Sequence, residues 1–127
     1  MILVDSSVLI DALRREDSPQ SKVLSQGDFC VCGVTIAEVL HGARDEEDYL
    51  RIMDSLDGFL KVEIREEDWV QTGRNLHLLK KAGRMVPFQD VVLATLAVCH
   101  DLELWTNDKH FQQIRQVLGD LKLFVPE

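Results

Sequence analysis

Four carboxylic acids lie close to points where helices are predicted to begin. They are Asp5, Glu38, Asp90 and Asp108. Carboxylates gathered in one place repel one another, and a divalent cation removes that repulsion. Oxygen ligands without a neighbouring Cys or His pattern favour Mg²⁺ or Mn²⁺ over Zn²⁺. Such ions, singly or as a pair about 4 Å apart, activate water and stabilise the leaving oxygen of a phosphodiester. The four acids therefore indicate metal-dependent phosphodiester hydrolysis.

Each acid also has a simpler explanation when it is taken alone. Glu38 follows Thr35 by three residues, which is the spacing of a helix capping box. Asp5, Asp90 and Asp108 are acids near helix starts, where the helix dipole favours negative charge. Asp90, however, opens a helix that is apolar nearly all round. A lone charge there is costly unless it is paired or bound to a metal.

Alternating strand and helix patterns predict how the acids are positioned. The predicted strands cover 1–4, 29–34, 60–64, 102–106 and 121–125. The predicted helices cover 7–15, 19–27 with Ser18 as its cap, 35–42, 46–56, 66–82 and 87–99, with another from 107 or 108. This order predicts one α/β domain over 1–127, with a central, mostly parallel sheet and helices on both faces. Strand-to-helix junctions share one edge of a parallel sheet. Asp5, Glu38 and Asp108 should therefore converge, and Asp90 joins them if its helix starts at that edge.

Several local predictions accompany this arrangement. Ser6 or Ser7 is expected to cap the first helix. The apolar side chains of two later helices are expected to face the core; these are Tyr49, Ile52, Met53 and Leu56 in one helix, and Trp69, Val70, Leu76 and Leu79 in the next. The four histidines are interpreted as surface or supporting residues.

The composition limits the classes of function. Fourteen basic residues stand against 22 acidic ones, giving a net charge of −8. This opposes a role in coating nucleic acid, but it does not exclude a nucleic-acid enzyme whose acids hold cations. No apolar run approaches the roughly 20 residues that span a membrane. The odd number of cysteines, with Cys30 and Cys32 expected in the core, suggests a reducing, cytoplasmic setting.

Four segments together resemble the motifs of the PIN-domain nucleases, and in particular the VapC-type toxins of prokaryotic toxin–antitoxin pairs. The segments are 4–11 (VDSSVLID), 35–44 (TIAEVLHGAR), 87–95 (PFQDVVLAT) and 106–111 (TNDKHF). They occur in the family's order and span the chain. The match is imperfect at Gln89, where some relatives carry a second acid, so a fifth acidic ligand is not expected.

The resemblance implies a ribonuclease that uses Mg²⁺ or Mn²⁺. It implies metal ligands at Asp5, Asp90 and Asp108, with Glu38 as a further ligand or supporting acid. Ser6 and Thr106 match small hydroxyl residues that orient the site in the family. A homodimer is also implied, together with an antitoxin whose C-terminal segment covers the acidic groove.

Two other functions stay open at this point. A non-catalytic acidic α/β module, regulated by a basic protein partner, would use the acids only as helix caps. The second is a phospho-acceptor role for Asp5, although the Asp-x-Asp spacing of many phosphotransferases is absent because position 7 is Ser7. If RNA is the substrate, Arg44 and Lys109 are expected to contact its phosphates, which position a nucleic acid without specifying its sequence.

Overall fold

A parallel sheet forms the centre of the molecule in a computed structural model that describes residues 1–15 and 17–126. Its strands are β1 (Ile2–Val4), β2 (Phe29–Cys32), β3 (Leu60–Val62), β4 (Glu103–Trp105) and β5 (Lys122–Leu123). They lie in the order β3-β2-β1-β4-β5, and every pairing is parallel. The predicted α/β class is confirmed, and the sheet is wholly parallel in the described part of the chain. β1 lies at its centre.

Seven helices connect and cover the described strands. They are α1 (Ser6–Arg14), α2 (Pro19–Leu24), α3 (Gly33–His41), α4 (Glu46–Leu56), α5 (Glu66–Lys81), α6 (Phe88–Cys99) and α7 (His110–Val117). Gly83 follows α5 with a φ of 72°, and the Arg84 amide donates to the Leu79 carbonyl at 2.9 Å. This left-handed turn ends α5, because glycine adopts it without steric cost. Among the described residues, no helix has both the length and the apolar character needed to cross a membrane.

Side chains alternate between two hydrophobic cores, one on each face of the sheet. Leu3, Cys30 and Leu104 pack with α5, α6 and α7. Val4 of β1 and Trp105 of β4 pack with α1, α3 and α4 on the other face. This alternation follows from the two-residue repeat of a strand. It confirms the prediction that helices cover both faces.

The inward face of α5 differs from the prediction. Trp69 and Val70 are 43% and 71% exposed, so their predicted core positions are wrong. The buried residues of this helix are Asp68, Thr72, Asn75 and Leu79. Polar groups can occupy this interface because they have partners there. The Asn75 Nδ2 atom, for example, donates to Thr95 Oγ1 of α6 at 2.8 Å.

The outer part of α4 also differs. Ile52 and Leu56 are buried as predicted, but Tyr49 and Met53 are each 38% exposed. The predicted core positions of Tyr49 and Met53 are therefore wrong. The apolar face of α4 is wider than the part of this helix that packs against the core.

Replacing Thr95 by valine is expected to lower the free energy of unfolding by about 1–3 kcal/mol. Valine preserves the shape but leaves the buried Asn75 amide without its acceptor. Urea denaturation measures the difference, with Thr95→Ser as the control that keeps the hydroxyl. A Thr95→Val protein as stable as the unsubstituted protein would show that this hydrogen bond contributes nothing.

Candidate active site

Asp5 lies at the carboxyl end of the central strand and is only 4% exposed. Its Oδ1 atom accepts from the Ser6 amide at 2.8 Å, and its Oδ2 atom accepts from Ser7 Oγ at 2.7 Å and Thr106 Oγ1 at 2.8 Å. Asp5 itself is thus the N-cap of α1, and the prediction that Ser6 or Ser7 caps this helix is wrong. A carboxylate offers about four acceptor positions. Three are used here, so the group is held in one orientation with a lone pair of Oδ1 left over.

The same two hydroxyls attach the loop after β4 to Asp5. Thr106 Oγ1 accepts from the Asp108 amide at 2.9 Å, and Ser7 Oγ accepts from the Asn107 amide at 3.1 Å. Each hydroxyl therefore donates to Asp5 and accepts from a loop amide. The family resemblance implies that Thr106 lies at the site, whereas the sequence predicts only a possible capping role for Ser7. The sequence does not distinguish Ser6 from Ser7. In the structure the Ser7 hydroxyl donates to Asp5, whereas the Ser6 hydroxyl donates to Glu38.

Glu38 lies one helical turn further along α3 than predicted, because α3 begins at Gly33. Thr35 is buried inside the helix and donates to the Val4 carbonyl at 3.2 Å. The predicted capping box is therefore wrong, and Glu38 is free of that role. Its Oε1 atom accepts from Ser6 Oγ at 3.4 Å. Burial, and then repulsion from Asp5, raises the pKa of the Glu38 carboxyl.

Asp90 lies in the first turn of α6 and is 8% exposed. Burial, followed by the Asp5 and Asp108 carboxylates, raises its pKa to about 6, although His110 partly opposes the shift. Its hydrogen-bond contact among the described residues is long, at 3.4 Å from Oδ2 to His110 Nδ1. The structure thus brings Asp90 to the acids at the strand ends, as the sequence allowed. An acid so buried and so weakly bonded favours binding of a proton or a cation.

Asp90 forms a cluster of possible metal ligands with Asp108 and His110. Asp108 lies in the loop before α7, and its Oδ1 atom accepts from the His110 amide at 3.0 Å and lies 3.1 Å from His110 Nδ1. One ligand atom from each of Asp90, Asp108 and His110 lies within 4.8 Å of the others. Asp5 is close enough to Asp90 and to Glu38 for its charge to raise the pKa of both carboxyls. His110 was interpreted as a surface or supporting residue, and the Asp108-x-His110 spacing at a helix start was the available signal.

These residues fit a divalent cation. The group of Asp90, Asp108 and His110 offers two carboxylates and one imidazole, which are hard or borderline donors, and this described group contains no thiolate. The raised pKa of Asp90 arises from burial and negative neighbours, and a cation would relieve the second of these directly.

The two basic residues expected to contact phosphates are placed differently. Lys109 is exposed and lies between the cluster residues Asp108 and His110. Arg44 instead pairs with Asp48, with 3.6 Å between Arg44 Nε and Asp48 Oδ2. It lines a small cavity with Arg14, at the end of α1 opposite to Asp5. A nine-residue helix is about 13 Å long, so Arg44 lies away from Asp5. Lys109 is next to the acids along the chain.

Comparisons with known proteins identify the family. The sequence model of the PIN domain matches residues 2–117. Ribonuclease VapC1 of Methanocaldococcus jannaschii is 30% identical over 118 residues, which cover 91% of this chain and 82% of that protein. Ribonuclease VapC18 of Mycobacterium tuberculosis is 26% identical over 121 residues, covering 91% and 88%. The structure of VapBC2 from Rickettsia felis bound to a promoter DNA fragment shares the fold, with a TM-score of 0.84, 18% identity and complete coverage of both chains. This chain therefore belongs to the PIN-domain family, and to the VapC proteins within it.

Proposed function

We propose that this protein is a metal-dependent endoribonuclease that acts as the toxin of a type II toxin–antitoxin pair. The observation that carries the proposal is the meeting of Asp5, Glu38, Asp90 and Asp108 at one edge of the sheet, with mutual repulsion among the acids. The likeness to Ribonuclease VapC1 over most of both chains supports RNA as the substrate.

Asp5, Asp90 and Asp108 are the proposed ligands of Mg²⁺ or Mn²⁺. A bound cation would offset the negative charge around Asp90 and would polarise water and the scissile phosphate. Glu38, whose pKa is raised, is suited to accept a proton close to the reacting phosphate. Lys109 is exposed beside Asp108 and is the proposed phosphate contact.

The hydroxyls of Ser7 and Thr106 have a positioning role in this proposal. Both hydroxyls donate to Asp5 Oδ2, at 2.7 and 2.8 Å, and so help to fix the direction of the unused lone pair of Oδ1. They also hold the loop that carries Asp108. Ser6 holds Glu38 less tightly, at 3.4 Å.

The proposed partners follow from the charge and the relatives. The net charge is −8, and the acids at the strand ends concentrate negative potential at the site. An Arg or Lys side chain of an antitoxin would neutralise these acids and exclude RNA. The structures of VapBC complexes that share this fold support a partner of this kind. A homodimer is part of the same proposal.

Cleavage of a labelled RNA in Mn²⁺, in Mg²⁺ and in EDTA tests the proposal. We expect cleavage with either metal and none with the chelator. A melting curve of the same samples should rise with Mn²⁺, because a ligand that binds only the folded state stabilises it. Absence of cleavage together with an unchanged melting temperature would favour the non-catalytic binding module.

Thr106→Val is expected to weaken Mn²⁺ binding about 10–100-fold, which is the usual effect of losing a residue that orients a metal ligand. Valine keeps the shape but removes the hydrogen bond to Asp5 and the acceptor for the Asp108 amide. Isothermal titration calorimetry measures the affinity, and Thr106→Ser, which keeps the hydroxyl, serves as the control. Equal affinities for the valine and serine variants would contradict the positioning role.

A further inference from the structure

His110 is a histidine within an otherwise acidic site. It is the first residue of α7 and its side chain is 50% exposed, yet its Nδ1 atom faces two acids. That atom lies 3.1 Å from Asp108 Oδ1 and 3.4 Å from Asp90 Oδ2. A single ring nitrogen therefore lies within reach of carboxylates from two different elements.

The separations match those of atoms that share one cation. Neighbouring ligands in an octahedral site with bonds of 2.0–2.1 Å lie about 3.0 Å apart. The Nδ1–Asp108 distance of 3.1 Å and the Nδ1–Asp90 distance of 3.4 Å are close to this value. A hydrogen on Nδ1 could form a good bond with one acid only, and the longer distance is at the limit for a hydrogen bond. A cation between the three atoms would satisfy all of them.

The backbone prepares the ring for this position. Asp108 Oδ1 accepts from the His110 amide at 3.0 Å, so the carboxylate fixes the start of α7. Thr106 in turn accepts from the Asp108 amide at 2.9 Å. The backbone of His110 is therefore already fixed at the site by hydrogen bonds. This reduces the conformational entropy that the side chain loses when it binds a cation.

We infer that His110 is a nitrogen ligand of the catalytic cation and that it makes the site prefer Mn²⁺ to Mg²⁺, an inference that rests on the proposed function. Carboxylates and water suit both ions, whereas imidazole binds transition metals more strongly than Mg²⁺. One nitrogen among oxygen ligands therefore shifts the relative affinity toward Mn²⁺. In this inference the acids bind the divalent cation, and His110 sets the preference for Mn²⁺ over Mg²⁺.

Pulsed electron paramagnetic resonance of the Mn²⁺-loaded protein tests this inference without measuring activity. The samples are the unsubstituted protein, His110→Asn, and His77→Asn, which replaces an exposed histidine of α5. We expect nitrogen modulation in the first and third samples and none in His110→Asn. Labelling with ¹⁵N-histidine should change the modulation frequency, which identifies the nitrogen as that of an imidazole.

Calorimetric titration of the same samples gives the metal preference. His110→Asn should weaken Mn²⁺ binding at least about tenfold, as expected for loss of a group that acts on the metal directly. Mg²⁺ binding should change less than about threefold, because Mg²⁺ gains little from imidazole. Mn²⁺ bound without nitrogen modulation, or equal weakening for both ions, would overturn the ligand role of His110 and leave the acidic metal site intact. An unsubstituted protein that binds neither ion would overturn the proposed metal site as well.

Discussion

Asp5→Asn is expected to reduce RNA cleavage at least about 100-fold, since loss of a residue that only orients a metal ligand already costs 10–100-fold in metal affinity or activity. The amide of asparagine carries no charge and retains only one acceptor oxygen. It therefore loses the attraction for a cation and one of the bonds from Ser7, Thr106 or the Ser6 amide. The initial rate of cleavage of an end-labelled RNA at saturating Mn²⁺ measures the effect.

Asp11→Asn is the matched control for this substitution. Asp11 is on the same helix but pairs with Arg15 at the surface, 2.6 Å from its Nη2 atom. Its replacement should leave cleavage unchanged, because exposed ion pairs contribute little. Circular dichroism of both variants establishes that they are folded. If folded Asp5→Asn cleaved RNA at the rate of the unsubstituted protein, Asp5 would not be part of the catalytic site.

Asp90→Asn should have opposite effects on stability and on metal binding. At pH 7 in EDTA, the variant is expected to be more stable than the unsubstituted protein by about 1–3 kcal/mol. Burial and the neighbouring acids raise the Asp90 pKa from 3.8 to about 6, and each pKa unit corresponds to about 1.4 kcal/mol. Asparagine removes that unfavourable charge. In Mn²⁺ the variant should lose the stabilisation that the unsubstituted protein gains.

The stability difference has a defined pH dependence. Because the pKa of Asp90 is higher in the folded state, the folded protein binds more protons, and this contribution to stability falls as the pH rises from about 4 to about 6. The two proteins should therefore differ little below about pH 3, where the carboxyl is protonated in both the folded and the unfolded state. The difference should be largest at pH 7. Urea denaturation in EDTA at several pH values measures it, and a variant less stable at pH 7 would show that ionised Asp90 stabilises the metal-free fold.

The periodicity of the sequence was sufficient to predict the order of the elements. The apolar run 2–4 marks a central strand because both of its faces are buried. The orientation of α5 could not be predicted in this way. Its buried face includes Asp68 and Asn75, whose hydrogen-bond partners His100 and Thr95 are distant in sequence. Hydrophobicity alone therefore assigned Trp69 to the wrong side.

The convergence of the acids could be predicted because parallel strands end at one edge. The side-chain geometry could not, since it depends on rotamers and on exact helix starts. The hydroxyl of Ser7 rather than that of Ser6 donates to Asp5, and the Ser7 hydroxyl also accepts from the Asn107 amide of a distant loop. His110 joins Asp90 because α6 and α7 begin close together, and no local pattern in the sequence records that distance.

The central claim is that a cation held by Asp5, Asp90 and Asp108 is required for RNA cleavage. Its most direct test is to measure Mn²⁺ occupancy by calorimetry and the initial rate of RNA cleavage on the same metal-free preparation as Mn²⁺ is added. The account predicts that the rate rises from zero in proportion to occupancy and that EDTA returns it to zero. Cleavage that persists in EDTA, or full occupancy without cleavage, would contradict the account.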